Sequence, residues 1–354
     1  MIAAKLPQQR GPEARLMVVA HDGTMRIAQR ERWTDELKPG DLVVANDAAT
    51  IPASLAGVHL RTGAAIEVRL AGRHSLDPNA IDEWTAIVFG EGDWRTRTEH
   101  RALPPALVVG DALALGPLHA RVIDLLEHPR LVAIRFDATP DRFWAGVTAH
   151  GRAVQYAHLE AELALWDVQT PIAGYPVALE APSAGFVLDW RSLAALRGRG
   201  IGFAALTHAA GLSSTGDDAL DARLPFDEAY SIPRTAAAQI AATRRGGGRI
   251  VAVGTTVVRA LEHAARSDGS VPSGGGVADI RIDERHRLRI VDALISGTHE
   301  PGTTHHLLLR AFVDAAALSR VDRALEDARF RTHEFGDSVL VQHAKMRARL
   351  PHAA

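Results

Sequence analysis

The sequence contains no cysteine among its 354 residues. This absence excludes disulfide bonds and thiolate metal sites. Lysine is almost absent too, because only Lys5, Lys38 and Lys345 occur and arginine supplies the other positive charges. There is no run of 18 apolar residues, and residues 1–16 lack the apolar core of a secretory signal. We therefore expect a cytoplasmic protein without a membrane partner.

The overall charge is close to neutral, with a formal net charge of -2 at pH 7. This value argues against a protein whose whole surface coats nucleic acid. It does not argue against a local basic groove, because the electrostatic field at a surface depends on how the charges are distributed. The apolar share of 47% is enough for a real core.

Two kinds of pattern divide the chain. Segment 37–47, LKPGDLVVAND, is a turn followed by a short strand with a polar end. The next hundred residues are short β-like runs separated by Gly, Pro, Asp and Asn, which predicts an all-β barrel at 55–147. Strands and helices alternate from about Ala181. The predicted fold is therefore an α/β domain, formed by 1–54 and 148–354, with an inserted β-barrel domain.

Three segments give more specific predictions. LRIVDALISG, residues 288–297, predicts one strand, and TTHHLLLRAFVDAA, residues 303–316, predicts one helix. SDGSVPSGGG, residues 267–276, has the composition of a flexible loop.

Several predicted strands of the α/β layer end in polar residues. Open α/β sheets bind ligands at the carboxyl ends of their strands. We therefore predict a ligand crevice at that edge, built from Asn46, Asp47, Thr207, His208, Gly254, Thr255, Thr256 and Asp292.

The segment IVAVGTTVVRALE, residues 250–262, predicts a buried strand, a Gly-Thr-Thr turn and a helix. Backbone N–H groups and hydroxyls at such a turn suit a carboxylate or phosphate. Thr255 or Thr256 could instead serve only as the N-cap. Arg259 could pair with an anionic ligand, or with Glu262 in a surface ion pair.

Two histidines and one aspartate are candidates for chemistry. His208 ends a predicted strand and has an ordinary pKa near neutrality, so it suits acid–base work, although a core histidine fits equally well. Asp292 lies inside an apolar run and needs a partner, either Arg259 or a ligand. His299, His305 and His306 lack the spacing of a zinc motif, so we predict no metal site.

Seven blocks, read in order, resemble the S-adenosylmethionine:tRNA ribosyltransferase-isomerase family. LKPGDLVVANDAATIPASL is similar to L-x-x-G-D-L-L-V-x-N-D-T-R-V-I-P-A-R-L, and IVAVGTTVVRALE to V-I-A-V-G-T-T-x-x-R-x-L-E. The other five blocks are APSAGF, LTHAAG, FDEAYSIP, LRIVDALISGTHEPGTT and EFGDSVLV. The resemblance covers most of the chain and implies an α/β domain with an inserted β-barrel.

The sequence departs from the family motifs at several polar positions. The two arginines of the first block fall on Ala49 and Ser54, and the histidine of the A-G-L-H-F motif falls on Val187. The histidine of the H-x-E motif falls on Phe226, whereas Glu228 is retained. Lost arginines remove charge-assisted phosphate contacts. A divergent paralogue is therefore an open alternative.

The resemblance implies an enzyme that uses S-adenosylmethionine as a ribosyl donor. The sulfonium acidifies the C5′ protons, a base removes one, and the ribose opens and expels adenine. The amine of 7-aminomethyl-7-deazaguanine in tRNA attacks the fragment, methionine leaves, and epoxyqueuosine forms. Two alternatives stay open: a paralogue with a small-molecule acceptor, and a non-catalytic binding protein. No bound cofactor is implied, and we expect a monomer.

Residues and resemblance together give the predicted site. The predicted catalytic residues are His208, His299 and Asp47. The predicted substrate-binding residues are Asn46, Gly185, Glu228, Gly254, Thr255, Thr256, Arg259, Asp292, Pro301, Thr304 and Asp337. Asp337 could also be an ordinary turn residue.

Overall fold

The structure is a computed structural model that describes residues 1–9 and 11–343. Over this part of the chain, no helix combines the length and apolar character that a membrane crossing requires.

Nineteen strands occur in the described residues. In chain order they are β1 (Ile2–Ala3), β2 (Arg15–Val19), β3 (Met25–Gln29), β4 (Leu42–Asn46), β5 (Ala48–Thr50), β6 (Ser54–His59), β7 (Ala64–Gly72), β8 (Trp84–Phe89), β9 (Ala112–Leu115), β10 (Leu118–His128), β11 (Leu131–Phe136), β12 (Tyr175–Ala178), β13 (Gly202–His208), β14 (Glu228–Ile232), β15 (Ile250–Val253), β16 (Gly274–Ala278), β17 (Ala293–Gly297), β18 (Arg331–Thr332) and β19 (Ser338–Gln342).

Seven α-helices accompany these strands. They are α1 (Pro140–His150), α2 (Trp190–Gly198), α3 (Asp218–Asp221), α4 (Arg234–Arg245), α5 (Thr255–Ala264), α6 (Thr304–Leu309) and α7 (Ala315–Asp327). Short 3-10 helices cover Arg30–Glu36, Thr98–His100, Leu165–Val168 and Ser183–Val187.

A nine-stranded mixed sheet organises the α/β part. Its order is β16-β14-β13-β4-β15-β17-β19-β2-β3, and β13, β4, β15 and β17 run parallel at its centre. The four parallel strands are almost entirely apolar, as expected for a sheet covered on both faces. One face packs against α4, α5 and α7, and the other packs around Trp33 and Leu196. The carboxyl ends of the parallel strands therefore meet at one edge.

A closed six-stranded antiparallel barrel, in the order β10-β11-β8-β7-β6-β9, lies between β5 and α1 in the chain. Alternate side chains point inward, and Trp84 and Phe89 are fully buried. Helix α1 adds Phe143 to this core, with its ring centroid 5.5 Å from that of Trp84. The predicted fold class, an α/β domain with a β-barrel, is confirmed. The domain limits at 55 and 147 stay a prediction, since the barrel strands themselves span Ser54–Phe136.

Three local predictions were wrong. The helix predicted over 303–316 is divided between α6 and α7, because the Asp314 carboxylate accepts a hydrogen bond from the Ala317 N–H and starts a new helix. The strand predicted over 288–297 begins only at Ala293. The loop predicted over 267–276 ends in strand β16, which pairs with β14 because its glycines leave room for the Tyr230 ring.

Barrel closure depends on a close backbone approach at Gly57. A Cβ atom there would lie 2.1 Å from the carbonyl oxygen of Ala114 on β9. We expect Gly57→Ala to lower the free energy of unfolding by about 1–3 kcal/mol, because β6 and β9 must separate. Urea unfolding followed by tryptophan fluorescence measures this. Gly198→Ala is the matched control, since a Cβ atom at Gly198 meets nothing within 4 Å; equal losses in both variants would contradict the closure argument.

Candidate active site

A cleft opens beside the carboxyl ends of β15 and β17 and holds about 1140 Å³ of non-protein space continuous with solvent. Seven of the predicted site residues line it: Glu228, Gly254, Thr255, Thr256, Arg259, His299 and Thr304. The parallel register explains part of this grouping, because Val253 lies beside Ile295, so the segments that follow β15 and β17 leave the sheet at the same edge.

The turn from β15 into α5 forms one wall of the cleft. Gly254 has φ 97°, a conformation that favours glycine, and it occupies the N-cap position of α5. Thr255 is already the first helical residue, so the alternative that a threonine is the N-cap is wrong. No N-cap side chain engages the first-turn N–H groups. This helix end is therefore suited to an anion.

Arg259 and Glu228 form a buried ion pair in the same wall. Arg259 also donates hydrogen bonds to the carbonyl oxygens of Phe226, Ala278 and Ile280. The proposed surface pair with Glu262 is wrong, because the Glu262 carboxylate is fully buried and accepts the N–H groups of residues 289–291. Arg259 thus borders the cleft with most of its donors already engaged, and ligand binding by it stays a prediction.

His299 follows β17 and stacks on His305, with ring centroids 4.2 Å apart. Burial is the main reason that the pKa of His299 lies well below the ordinary value, and the neighbouring His305 lowers it further. Burial likewise lowers the pKa of His305 to about 4. Both rings are therefore neutral at physiological pH, and the low pKa makes His299 a weak base that can hydrogen-bond but cannot start as an acid.

The ends of β4 and β13 lie behind this wall and do not line the cleft. The Asn46 amide bridges the main chain of His208, donating to its carbonyl oxygen at 2.9 Å and accepting from its N–H at 2.9 Å. Burial lowers the pKa of His208 well below the ordinary value, and its Nε2 lies 3.5 Å from the Glu228 carboxylate. Asp47 accepts a hydrogen bond from Thr207 at 2.7 Å, and burial raises the pKa of Asp47.

Four other predicted binding residues lie away from the cleft lining. Asp292 lies at the opposite, amino end of β15, where its carboxylate accepts a hydrogen bond from the Ile250 N–H. Its predicted place in the crevice and its predicted pairing with Arg259 are therefore wrong.

Asp337 is buried, and its carboxylate accepts hydrogen bonds from Arg15 and from the Arg331 N–H, which is a structural role. Gly185 packs against Thr170, and Pro301 is exposed.

The structure adds a carboxyl cluster that the sequence did not indicate. Glu180 and Glu334 both line the cleft, and the Tyr156 hydroxyl lies beside Glu180. Burial raises the pKa of Glu180 to about 7. Burial and the charge of Glu180 together raise the pKa of Glu334 to about 8. The signal available in the sequence was weak: Glu180 directly precedes the block APSAGF, and Glu334 is the first residue of the block EFGDSVLV.

His158 and His333 stand next to Glu334. Their donor atoms and a Glu334 oxygen lie within 4.8 Å of one another. The two imidazole rings stack almost in parallel, with centroids 4.2 Å apart and planes 17° apart. Parallel stacking points the ring lone pairs side by side, whereas tetrahedral ligation needs them to converge on one point. We therefore treat the pair as packed neutral rings, consistent with the pKa of about 4 that burial gives His158.

Comparison with known proteins agrees with this architecture. Residues 1–341 match the family described as queuosine biosynthesis protein. The chain belongs to this family. It is 32% identical to the S-adenosylmethionine:tRNA ribosyltransferase-isomerase of Thermosynechococcus vestitus, over 96% of this chain and 92% of that protein. It is 31% identical to the protein of the same name from Citrifermentans bemidjiense, over 96% of both.

A solved structure supports the fold. The crystal structure of S-adenosylmethionine tRNA ribosyltransferase from Thermotoga maritima covers 96% of this chain and 96% of its own, with a TM-score of 0.50 and 24% identity. The resemblance predicted from the seven blocks, membership of this enzyme family, is confirmed.

The buried pair in the cleft wall gives the first site prediction. We expect Arg259→Met to lower the free energy of unfolding by about 3–5 kcal/mol, because it leaves Glu228 buried and unpaired. Adding Glu228→Gln should recover part of that loss, as a double-mutant cycle measured by urea unfolding would reveal. Arg266→Met, at an exposed arginine, is the control and should change stability by less than about 0.5 kcal/mol. Additive losses from the two single changes would contradict the pairing.

The carboxyl cluster gives a pH prediction. A free glutamate has a pKa of 4.5, whereas Glu334 in the folded protein has a pKa of about 8. Between these values the folded state holds a proton that the unfolded state has lost, so stability falls as pH rises. Buried histidines add a slope of the opposite sign until about pH 7.5, but this slope is common to the two proteins compared and cancels in their difference. Urea unfolding at several pH values from about 6.5 to about 8 should therefore show a smaller loss in Glu334→Gln than in the unchanged protein. Parallel curves would contradict the raised pKa.

Proposed function

We propose that this protein is an S-adenosylmethionine-dependent ribosyltransferase-isomerase that acts on 7-aminomethyl-7-deazaguanine in tRNA. The products are epoxyqueuosine in tRNA, adenine and methionine. The observation that carries the proposal is the match of residues 1–341 to the family, together with the turn Gly254-Thr255-Thr256, which lines the cleft.

The charges of the cleft suit this donor. The methionine part of S-adenosylmethionine carries a carboxylate, and the start of α5 offers N–H groups for an anion. The sulfonium is a cation. Once Glu228 and Arg259 neutralise each other and Glu334 is protonated, the charged groups left in the cleft lining are Glu180 and Asp283 against Arg281. This excess of one negative charge favours a cationic ligand.

The chain's own residues then bind and orient the donor. The turn at Gly254 receives the carboxylate, and Thr256 and Thr304 offer hydroxyl groups to the polar atoms of the ligand. The stacked, neutral rings of His299 and His305 present a flat surface and a hydrogen-bonding nitrogen at the cleft wall. The reaction needs no resident cofactor, because the sulfonium itself activates the ribose. With tRNA as the acceptor, the cytoplasm is the expected location.

A small amine is the second candidate acceptor. The two arginines of the family's first block are Ala49 and Ser54 here, and Ser54 hydrogen-bonds Glu67 at the base of the barrel. Neither residue can hold a phosphate by a charge-assisted pair. This observation favours an acceptor smaller than tRNA.

Adenine release tests the function. Purified protein is incubated with S-adenosylmethionine alone, with tRNA carrying 7-aminomethyl-7-deazaguanine, and with the free base, and adenine and methionine are separated by chromatography. We expect adenine only when the modified tRNA is present. Release with the free base alone would assign the second candidate. Binding of S-adenosylmethionine without adenine under any condition would make the protein a non-catalytic binder.

A variant connects the function to the cleft. Thr256→Val removes a hydroxyl at the start of α5 and should weaken S-adenosylmethionine binding by about tenfold, the value of one lost hydrogen bond to a charged group. Thr243→Val, in α4 outside the cleft lining, is the control for isothermal titration calorimetry. Unchanged affinity in Thr256→Val would remove this turn from the donor site.

A further inference from the structure

Two carboxyl groups from distant parts of the chain share one side of the cleft. Glu180 follows β12, directly before the 3-10 helix Ser183–Val187, and Glu334 lies between β18 and β19. Both line the cleft, and each lies in the electrostatic field of the other. The motifs quoted for the family assign no role to either position.

Burial raises the pKa of Glu180 to about 7, but the hydrogen bonds that its carboxyl group accepts favour the ionised form. One of its oxygens accepts the Ser213 N–H at 2.9 Å and the Ser213 hydroxyl at 2.7 Å. The Tyr156 hydroxyl and the positive charge of Arg69, on barrel strand β7, also stabilise its charged form. Several donors directed at one carboxylate favour the ion.

Glu334 has the opposite surroundings. Its side chain is only 9% exposed, and its Oε2 has no hydrogen-bond partner among the described residues. The nearest basic atom is His158 Nε2 at 4.0 Å, on a ring that burial keeps neutral. The adjacent His333 directs its Nε2 toward Glu300, 3.6 Å away. A buried carboxylate that has its own main-chain N–H as a donor but no neighbouring cation is costly, so Glu334 is held as the carboxylic acid.

Two neighbouring carboxyl groups in such different surroundings divide one proton between them. Between about pH 7 and about pH 8, the cleft therefore holds mainly one ionised and one protonated carboxyl group. This is the arrangement that proton abstraction and leaving-group protonation require together.

We propose that Glu180 and Glu334 are the acid–base pair of the reaction in this cleft. Ionised Glu180 takes the C5′ proton next to the sulfonium, and the C–H electron pair becomes the C4′=C5′ double bond as the C4′–O4′ bond breaks and opens the ribose. The electron pair released on O4′ forms the C1′=O bond, the bond between C1′ and adenine breaks with its electron pair on the adenine nitrogen, and protonated Glu334 supplies the proton to that nitrogen. One proton enters the pair and one leaves it, so the pair keeps a single proton. This assignment rests on the proposed function.

The experiment uses the full chain and compares Glu180→Gln with Glu334→Gln. Adenine release from S-adenosylmethionine, with whichever acceptor supports it in the unchanged protein, is measured from pH 5.5 to 9 as kcat/KM. Affinity for S-adenosylmethionine is measured on the same samples by calorimetry. Glu326→Gln, at an exposed glutamate of α7, is the matched control and should keep the original rate and pH profile.

We expect each cleft variant to lose about 10²-fold or more in adenine release, with a change of less than about tenfold in S-adenosylmethionine affinity. In the pH profile of Glu180→Gln, the acidic limb should disappear, so the residual rate no longer rises with pH there. In the pH profile of Glu334→Gln, the alkaline limb should disappear, so the residual rate no longer falls with pH there. Tyr156→Phe should move the acidic limb to higher pH, because it removes a donor to ionised Glu180. A merely structural role would not move these limbs.

Three results would overturn the assignment. If the unchanged protein turns over and both variants keep its rate and profile, this inference falls and the proposed function stands. If the unchanged protein releases no adenine with either acceptor, function and inference fall together. If a chelator abolishes activity and zinc restores it, Glu334 acts with His158 and His333 as a metal ligand and not as an acid.

Discussion

The buried ion pair of Glu228 and Arg259 is the constraint on which the cleft depends. It joins β14 to α5, and Arg259 extends the connection to the main chain at the end of β16 and just after it, where it donates to Ala278 and Ile280. The other Glu228 oxygen accepts the Gly211 N–H, which fixes the loop that carries Ser213. One pair therefore positions both the start of α5 and the donor that supports Glu180. Such a pair adds little net stability, but removing one partner leaves the other as an unpaired buried charge in the cleft wall.

The sequence predicted the architecture well because the signals for it are local. Strand ends, glycine turns and helix periodicity lie within a few residues of one another, as in the segment 250–262, and the change from short β runs to strand–helix alternation marked the barrel. Local signals also explain the errors. Asp292 was placed at the crevice because it lies in an apolar run, but only the sheet register shows that it lies at the amino end of β15.

The part of the site that sequence could not predict consists of contacts between distant residues. Glu180 and Ser213 are 33 residues apart, and Arg259 finds its partner 31 residues away at Glu228 instead of three residues away at Glu262. The choice between these partners is made by burial: Glu262 faces three main-chain N–H groups that would otherwise stay unsatisfied. No spacing rule contains that information.

The charge pattern of the cleft connects fold and chemistry. The start of α5 is the anion-binding end, whereas Glu180 and Glu334 form the carboxyl end. If both glutamates were ionised, the carboxyl end would bind the sulfonium tightly in the ground state, and tight ground-state binding does not lower the barrier of the chemical step. Keeping Glu334 protonated limits that attraction and leaves a proton beside the leaving group. The Glu334 oxygen that has no hydrogen-bond partner among the described residues costs stability, and it is the feature that the proposed reaction uses.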